Sequence, residues 1–453
     1  MKSINLRARV AQIADVVPNR HAVVTSRRAL TYKQALCHVP RTSGEHAIIF
    51  CDDPANVLRA LVACDGSMRS VCALSPALGD ETLNAILSQY DFDCFITDRA
   101  FSNVSTLAVA GLEGMSAEEL VLGEAEGSPT DSRETTWLVP TSGTTAHPKL
   151  VVHTLASLAK AGLKVSQSLE EPQMWGLFYD MTRFAGYQVL FQAVLAGHTL
   201  VCPDLMSTIE ERVSFCSAHG VTHISATPTL WRKILMCPMS QTLSLIQISL
   251  GGEAADQTIL SALRKAYPRA RVTHVYASTE AGVAISVSDG RAGFPLSFVE
   301  ANTGDPQIAI KEGKLFVRSK GVAQGYVGES SANDSEGWVD TGDVVRVEDD
   351  RFFVVGRESG VLNIGGDKVM PDDVRRTLLA CELVSDAVVY GKRNPITGSV
   401  VAADIKLARE MAEADARAAI DSWLRDRLAT NQRPRLLRFV REINFNSNGK
   451  IVV

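Results

Sequence analysis

The stretch Trp137-Leu-Val-Pro-Thr-Ser-Gly-Thr-Thr-Ala-His-Pro-Lys-Leu-Val-Val-His-Thr154 sets the reading of the whole chain. An apolar run from Trp137 to Val139 enters Pro140, and a second run from Leu150 to Val152 resumes after Lys149. Between them Thr141, Ser142, Gly143, Thr144 and Thr145 offer hydroxyls and unhindered backbone N–H groups. Pro148 stiffens the exit and Lys149 adds an ammonium. Polyphosphate oxygens only accept hydrogen bonds, so hydroxyls, free amides and a cation gathered on one turn suit them. A Ser/Thr-rich surface turn has a similar composition, but the flanking apolar runs embed this loop in a core sheet. The Walker string, Gly-x4-Gly-Lys-Ser/Thr opening a helix, occurs nowhere in the sequence.

A chain of 453 residues exceeds one ordinary core, which predicts at least two domains. With 46% hydrophobic and 21% charged residues and a formal net charge of −5, it reads as globular. The mild acidic balance gives no electrostatic reason to expect a nucleic-acid partner. No apolar run is long enough to span a bilayer, and the N-terminus lacks the apolar core of a signal peptide. The nine cysteines are scattered and form no CxxC. Their spacing excludes a disulfide framework and a zinc site, and it points to a reducing compartment, the cytoplasm.

Strand-like runs (His46 to Cys51, Ser70 to Leu74, Asp93 to Thr97) alternate with helical periods (Asn56 to Cys64, Glu81 to Tyr90). Residues 100 to 134 are loop-like. Beyond the hydroxyl-rich loop the alternation continues with predicted helices Leu155 to Val165, Tyr187 to Leu195, Thr208 to Ala218 and Gln257 to Ala266. Strands are predicted at Met174 to Tyr179, Thr199 to Cys202, Ile246 to Leu250 and Arg271 to Tyr276. The expected fold is α/β: a large N-terminal domain of parallel-sheet αβα layers. From about 305, short strands and turns predict a small antiparallel β region. Residues 357 to 453 read as a small α+β domain, opening with a helix at Pro371-Asp-Asp. The expected division is 1–356 and 357–453, with a hinge near Ser359, bracketed by Gly356 and Gly360.

Further clusters lie at strand ends. Gly251-Gly252-Glu253 follows an apolar run, and glycines there let a flat ligand approach the backbone; a turn needed only for topology is the alternative. Tyr276-Ala277-Ser278-Thr279-Glu280 offers an aromatic face for a base, a hydroxyl for phosphate and a hard carboxylate for a hard cation. Thr341-Gly342-Asp343, Gly356-Arg357, the segment Leu362 to Pro371 with Gly365 and Gly366, and Asn446-Ser-Asn-Gly-Lys450 follow in order.

Taken together these segments resemble the motifs of the acyl-adenylate-forming superfamily: acyl- and aryl-CoA ligases, peptide-synthetase adenylation domains and beetle luciferases. The superfamily forms are Ser/Thr-Ser-Gly-Thr-Thr-Gly-x-Pro-Lys, Tyr-Gly-x-Thr-Glu, Thr-Gly-Asp, Gly-Arg, Ile-Lys-x-x-Gly-x-x-Val-x-Pro and Asn-Gly-Lys. The resemblance is collinear from about 137 to 450. Ala146 and Ala277 replace glycines, and Ser359 replaces the usual hinge Asp or Lys.

The resemblance implies that a carboxylic acid attacks the α-phosphorus of Mg-ATP to give acyl-AMP, which a thiol then takes. In that reading Thr141, Ser142, Gly143, Thr144, Thr145 and Lys149 hold the β- and γ-phosphates. Thr279 meets the α-phosphate and Glu280 the Mg2+. Gly252, Glu253, Tyr276, Asp343 and Arg357 address adenine and ribose. Lys450 bridges acid and nucleotide during adenylation. The C-terminal domain then turns about Ser359 to present Gly365 and Gly366 to the thiol. Tyr179, Asp180, Arg183, Phe184, Gly251 and Ala277 are expected to line the acid pocket. Asp180 and Arg183 are expected to pair at its rim; the alternative is that Asp180 holds the α-amine of an amino acid. The implied reaction is acid–CoA ligation with ATP, Mg2+ and CoA. The alternative enzyme loads an acyl group or amino acid onto a separate carrier protein, since no carrier domain follows Lys450. From another class, Ala146, Ala277 and Ser359 would suit an adenylate-binding regulator without catalysis.

Overall fold

The computed structural model describes residues 5–39, 45–99, 113–117, 119–122, 134–141, 149–162, 169–301, 303–328, 333–364, 367–394 and 398–443. Ser142 to Pro148, Gly365, Gly366 and Lys450 lie outside them, as do the side chain of Ser359 and most of the stretch from 100 to 134.

Two large sheets carry the molecule. In the first, six strands run parallel in the spatial order Arg271–Ser278, Gln247–Leu250, His223–Ala226, Met174–Leu177, Thr199–Cys202, His21–Thr25. An antiparallel strand closes each edge, Gly282–Val287 at one and Ala29–Thr31 at the other. In the second sheet Ser70–Ala73, His46–Phe50, Cys94–Thr97 and Glu113–Ser116 continue in parallel from Thr136–Pro140. Beyond Thr136–Pro140 the strand Leu150–Thr154 pairs antiparallel with it, and Gly325–Tyr326 pairs antiparallel in turn. Most of these strands are buried along their length, as parallel strands covered on both faces must be. The hydroxyl-rich loop therefore joins two antiparallel core strands.

The helix Phe184–Val194 is buried on nearly every residue, with Tyr187 and Phe191 packed edge-on against Trp137. It belongs to one continuous apolar core that takes strands from both sheets. Its start is fixed by Gly186, where any Cβ would lie 2.0 Å from the Asp180 carbonyl oxygen. The sequence places this helix three residues late. Of the helix expected from Leu155 to Val165, the described residues up to 162 form a single α-helical turn, Leu155–Leu158, capped by Thr154 and Ser157, and 163–165 lie outside them. Gly162 then passes so close to the Phe191 backbone that a Cβ would sit at 2.9 Å. Packing against the buried helix overrides the local helical period.

The expected antiparallel region is a five-stranded sheet, Phe294–Pro295, Arg351–Arg357, Val339–Glu348, Lys314–Arg318, Gln307–Lys311. The C-terminal domain has its own core. The hairpin Val384–Asn394 with Gly398–Leu407, joined in parallel by Leu436–Phe439, is covered by the helices Pro371–Leu379 and Glu413–Arg425. Arg375 crosses to the helix Pro228–Met236, donating from Nη2 to Thr229 Oγ1 at 3.1 Å and from Nε to the Ala387 carbonyl at 2.8 Å. No described helix is long and apolar enough to cross a membrane.

Candidate active site

The hydroxyl-rich loop is pinched at its neck. Thr141 donates to the Lys149 carbonyl from its backbone N–H at 3.0 Å and from Oγ1 at 3.3 Å. Thr141 and Lys149 thus lie side by side at the ends of the strands Thr136–Pro140 and Leu150–Thr154. Arg183 braces the root by donating from Nη1 to the Pro140 carbonyl at 3.3 Å.

Three side chains gather beside that neck. The Lys149 ammonium lies over the Tyr326 ring, 4.9 Å from its centroid, and the Tyr326 hydroxyl donates to Glu280 Oε1 at 3.0 Å. The register Val151↔Tyr326 across the antiparallel pair brings this tyrosine there. The turn carrying Thr279 and Glu280 joins strands Arg271–Ser278 and Gly282–Val287 of the first sheet and is held from several sides. Ser278 Oγ accepts from Ala281 N–H at 2.9 Å, and the Glu280 carbonyl accepts from Ala323 N–H at 2.8 Å. His153, fully buried, sits 2.7 Å through Nε2 from the Thr279 carbonyl and 2.9 Å through Nδ1 from Ser157 Oγ. A carbonyl only accepts, which assigns the proton to Nε2 in the neutral ring. Burial pushes the His153 pKa down to about 4, so the ring stays neutral near pH 7.

Nearby, Tyr276, Asp343 and Arg357 converge from three places in the sequence. The Tyr276 hydroxyl donates to Asp343 Oδ2, and Arg357 Nε lies 3.4 Å from Asp343 Oδ1. Asp343 and Arg357 face each other across the hairpin, and Thr341 Oγ1 fixes the turn by accepting from Asp343 N–H at 3.1 Å. Burial, then the Asp343 charge, hold the Tyr276 phenol well above its ordinary pKa, so it remains a donor.

At the Gly251-Gly252 turn, Gly252 adopts φ +82°, a left-handed conformation that explains the residue. The Gly251 carbonyl accepts from the Tyr179 hydroxyl at 3.2 Å. Glu253 turns to the adjacent helix: its Oε2 accepts from Thr229 N–H at 3.2 Å and from Thr229 Oγ1 at 2.6 Å. Through Thr229 it is linked to Arg375 of the C-terminal domain.

The expected pair of Asp180 with Arg183 does not form. Asp180 Oδ1 instead closes a tight turn on Thr182, accepting from its N–H at 3.0 Å and its hydroxyl at 2.7 Å. Arg183 is drawn away to Pro140. Asp180 Oδ2 and Arg183 Nε are both buried without a hydrogen-bond partner. Phe184 lies 6.1 Å from the His153 ring, and Ala277 is partly buried against the core between the two sheets.

Sequence reasoning missed Tyr326, His153 as a bracing group, and the Thr229–Arg375 contact. Tyr326 follows an unremarked glycine, and only the strand pairing brings it to Glu280. His153 stands inside the opening stretch, but as a strand residue it carries no local signal.

Comparisons with known proteins bear on the family and the fold. A model of AMP-binding enzymes matches residues 10–327, and a model of the AMP-binding enzyme C-terminal domain matches residues 376–450. The 2-succinylbenzoate–CoA ligase of Bacillus velezensis is 26% identical, the match covering 97% of this chain and 95% of the relative. The Bacillus subtilis ligase of the same name is 25% identical over the same shares. Among solved structures, the o-succinylbenzoate CoA synthetase of Bacillus subtilis with its acyl-adenylate intermediate superposes with a TM-score of 0.76 at 21% identity, covering 98% of this chain and 96% of that one. An anthranilate CoA ligase bound to anthranoyl-AMP gives 0.78 at 20% identity, covering 99% and 96%.

Proposed function

Since the chain belongs to the AMP-binding enzyme family, of the adenylate-forming superfamily, we propose that it is an AMP-forming acid–thiol ligase acting on an aryl or similarly compact carboxylic acid. It activates the acid with ATP as acyl-AMP, releases pyrophosphate, and passes the acyl group to CoA. The observation that carries this reading is the convergence, at the ends of the strands, of Lys149, Glu280 and the Tyr276–Asp343–Arg357 set.

In this reading the neck of the loop presents Thr141 and Lys149, with Ser142 to Thr145 between them, to the β- and γ-phosphates. Thr279 faces the α-phosphate, and Asp343 with Arg357 takes the ribose beneath Tyr276, beside Gly252 and Glu253. A magnesium ion carried in by a nucleotide needs only one or two protein carboxylates beside phosphate oxygens and water. Glu280, with one oxygen steadied by Tyr326, fits that mode. The ion supplies charge neutralisation on the phosphates; the protein's own part is positioning and electrostatic stabilisation, because phosphorus needs no covalent protein partner. Lys450 is assigned to the adenylation step, and Gly365 and Gly366 to the thiol step. The two steps alternate by rotation of residues 357–453 against 1–356 about Ser359. The nine cysteines are all buried and none is in a disulfide, which fits the cytoplasm.

Tyr179, Phe184, Gly251 and Ala277 give the acid a mainly apolar slot. The unused Arg183 Nε–H favours an acid bearing a second anionic group, as the relatives' 2-succinylbenzoate does. The unpartnered Asp180 oxygen favours a second reading, an amino acid held by its ammonium and passed to a carrier protein. Acid-dependent pyrophosphate release across aryl mono- and dicarboxylic acids and amino acids, with and without CoA, tests both. CoA-dependent turnover of an aryl acid establishes the first reading. Amino-acid adenylation that stalls in the presence of CoA establishes the second. ATP binding with no turnover of any acid overturns both.

A further inference from the structure

Tyr326 touches both of the charged groups assigned to the polyphosphate and its metal ion. Its ring face carries the Lys149 ammonium at 4.9 Å from the centroid, and its hydroxyl donates to Glu280 Oε1 at 3.0 Å. We infer that Tyr326 is a positioning residue for Mg-ATP: it holds the phosphate-binding cation and the metal-binding carboxylate close together while standing between them. This rests on the ATP reading of the site given above.

The physical case has three steps. An ammonium and a carboxylate left adjacent would pair directly, and each would then be spent on the other rather than on ligand. A tyrosine placed between them contacts both without neutralising either. A phenol ring holds an exposed cation only loosely, and a polyphosphate can outbid it. A hydroxyl donated to one carboxylate oxygen leaves the other oxygen able to meet a metal ion. The two contacts also support each other, because a phenol whose proton leans on a carboxylate has a more electron-rich ring. The placement is rigid. Tyr326 is tied to the strand that leaves the hydroxyl-rich loop by its register with Val151, and the next residue bonds back to Leu150, Val327 N–H to the Leu150 carbonyl at 3.0 Å. The Glu280 backbone is fixed by Ala323 from the same segment at 2.8 Å. One short stretch, 323 to 327, therefore locks the loop's exit strand in the second sheet to the Thr279-Glu280 turn in the first.

The two halves of the side chain separate by substitution. Tyr326→Phe keeps the ring and removes the hydroxyl, so it acts on Glu280. Tyr326→Leu removes both contacts. The test is calorimetric binding of ATP to the full chain, with magnesium and with a chelator, alongside a thermal melt of each variant. The expected result for Tyr326→Phe is ATP affinity close to wild type in chelator, with magnesium tightening binding about tenfold less than in wild type. For Tyr326→Leu, affinity in chelator also falls, and that extra fall disappears when Lys149→Met is already present, as coupled residues require. A purely structural tyrosine would lower the melting temperature without changing the magnesium dependence of binding. Tyr326→Phe with wild-type magnesium dependence overturns the inference, and so does a Tyr326→Leu loss that persists unchanged beside Lys149→Met. If wild-type protein binds no ATP under either condition, the ATP reading of the site fails, and this inference with it.

Discussion

Asp343 shows how much a single side chain can organise. One oxygen receives the buried Tyr276 hydroxyl, the other lies 3.4 Å from Arg357, and its own N–H is held by Thr341. Asp343→Ala removes a charged acceptor from two partners, and hydrogen bonds to charged groups contribute about 1.5–3 kcal/mol each. ATP affinity should therefore fall by about 10- to 100-fold. The melting temperature should fall as well, because the Tyr276 hydroxyl is left buried without its acceptor. Equilibrium dialysis and a thermal scan check both, and unchanged ATP affinity would remove Asp343 from the ribose site. Lys450 makes the contrasting case, since its assignment rests on its sequence motif. Lys450→Ala should lower pyrophosphate formation about 100- to 1,000-fold, the loss typical of a charge-stabilising group, while sparing thioester formation from supplied acyl-AMP. Equal loss of both half-reactions would refute that division of labour.

At the level of elements, the turn after Glu280 depends on a close crossing. Gly282 has φ +71°, and a Cβ there would lie 2.4 Å from the Gly321 carbonyl oxygen. Gly282→Ala therefore meets both backbone strain and fixed backbone, and should cost on the order of 3 kcal/mol or more in denaturant unfolding. Gly328→Ala is the control: its φ is +78° with nothing within 4 Å, so only the conformational cost of about 1 kcal/mol remains. Equal losses at the two positions would show that the crossing does not constrain the turn. The helix Gln257–Ala266 and the strand Thr199–Cys202 were legible to the residue, because each has apolar positions at its own period and clean breakers at its ends. The helix expected from Leu155 failed because its period is cut short by contact with a distant helix. Of the candidate site, the residues that announce chemistry by type and order could be read: Lys149, Thr279, Glu280, Asp343 and Arg357. Tyr326, His153 and Thr229 could not, since their roles exist only through strand register and packing between segments far apart in the chain. The Asp180–Arg183 pair was misread for a related reason: adjacency in sequence suggested a partner, while backbone N–H and carbonyl groups nearby offered better ones.

Across the whole molecule, buried titratable groups set a direction for acid stability. Burial lowers His153, His223 and His274 to about 4 each, below the ordinary 6.5. Above pH 6.5 these rings are neutral folded or unfolded, and their stabilising contribution is complete. As pH falls from 6.5 toward 4 the unfolded chain takes up protons that the folded one refuses, so stability drops; below about 4 the folded rings protonate too and the loss stops growing. Asp65 works against this. Burial raises its carboxyl from 3.8 to about 6, so between 6 and 3.8 the folded state holds the extra proton and gains stability as pH falls. Burial raises the Asp372 carboxyl in the same direction, so three histidines stand against two aspartates and leave a net loss on acidification. His274 is the best place to measure it, because its ring stacks on Phe294 at 4.7 Å and its Nε2 is buried without a partner. Phenylalanine can take up that stack with little penalty. His274→Phe should leave stability at pH 8 nearly unchanged and reduce the loss between pH 6.5 and 4 by up to about 3 kcal/mol, since each pKa unit is worth about 1.4 kcal/mol. Urea unfolding at pH 8, 6 and 4.5 would show it as a shallower slope in the variant. Parallel slopes for variant and wild type would mean that His274 takes up its proton equally well folded and unfolded, and would locate the acid sensitivity in the other two rings.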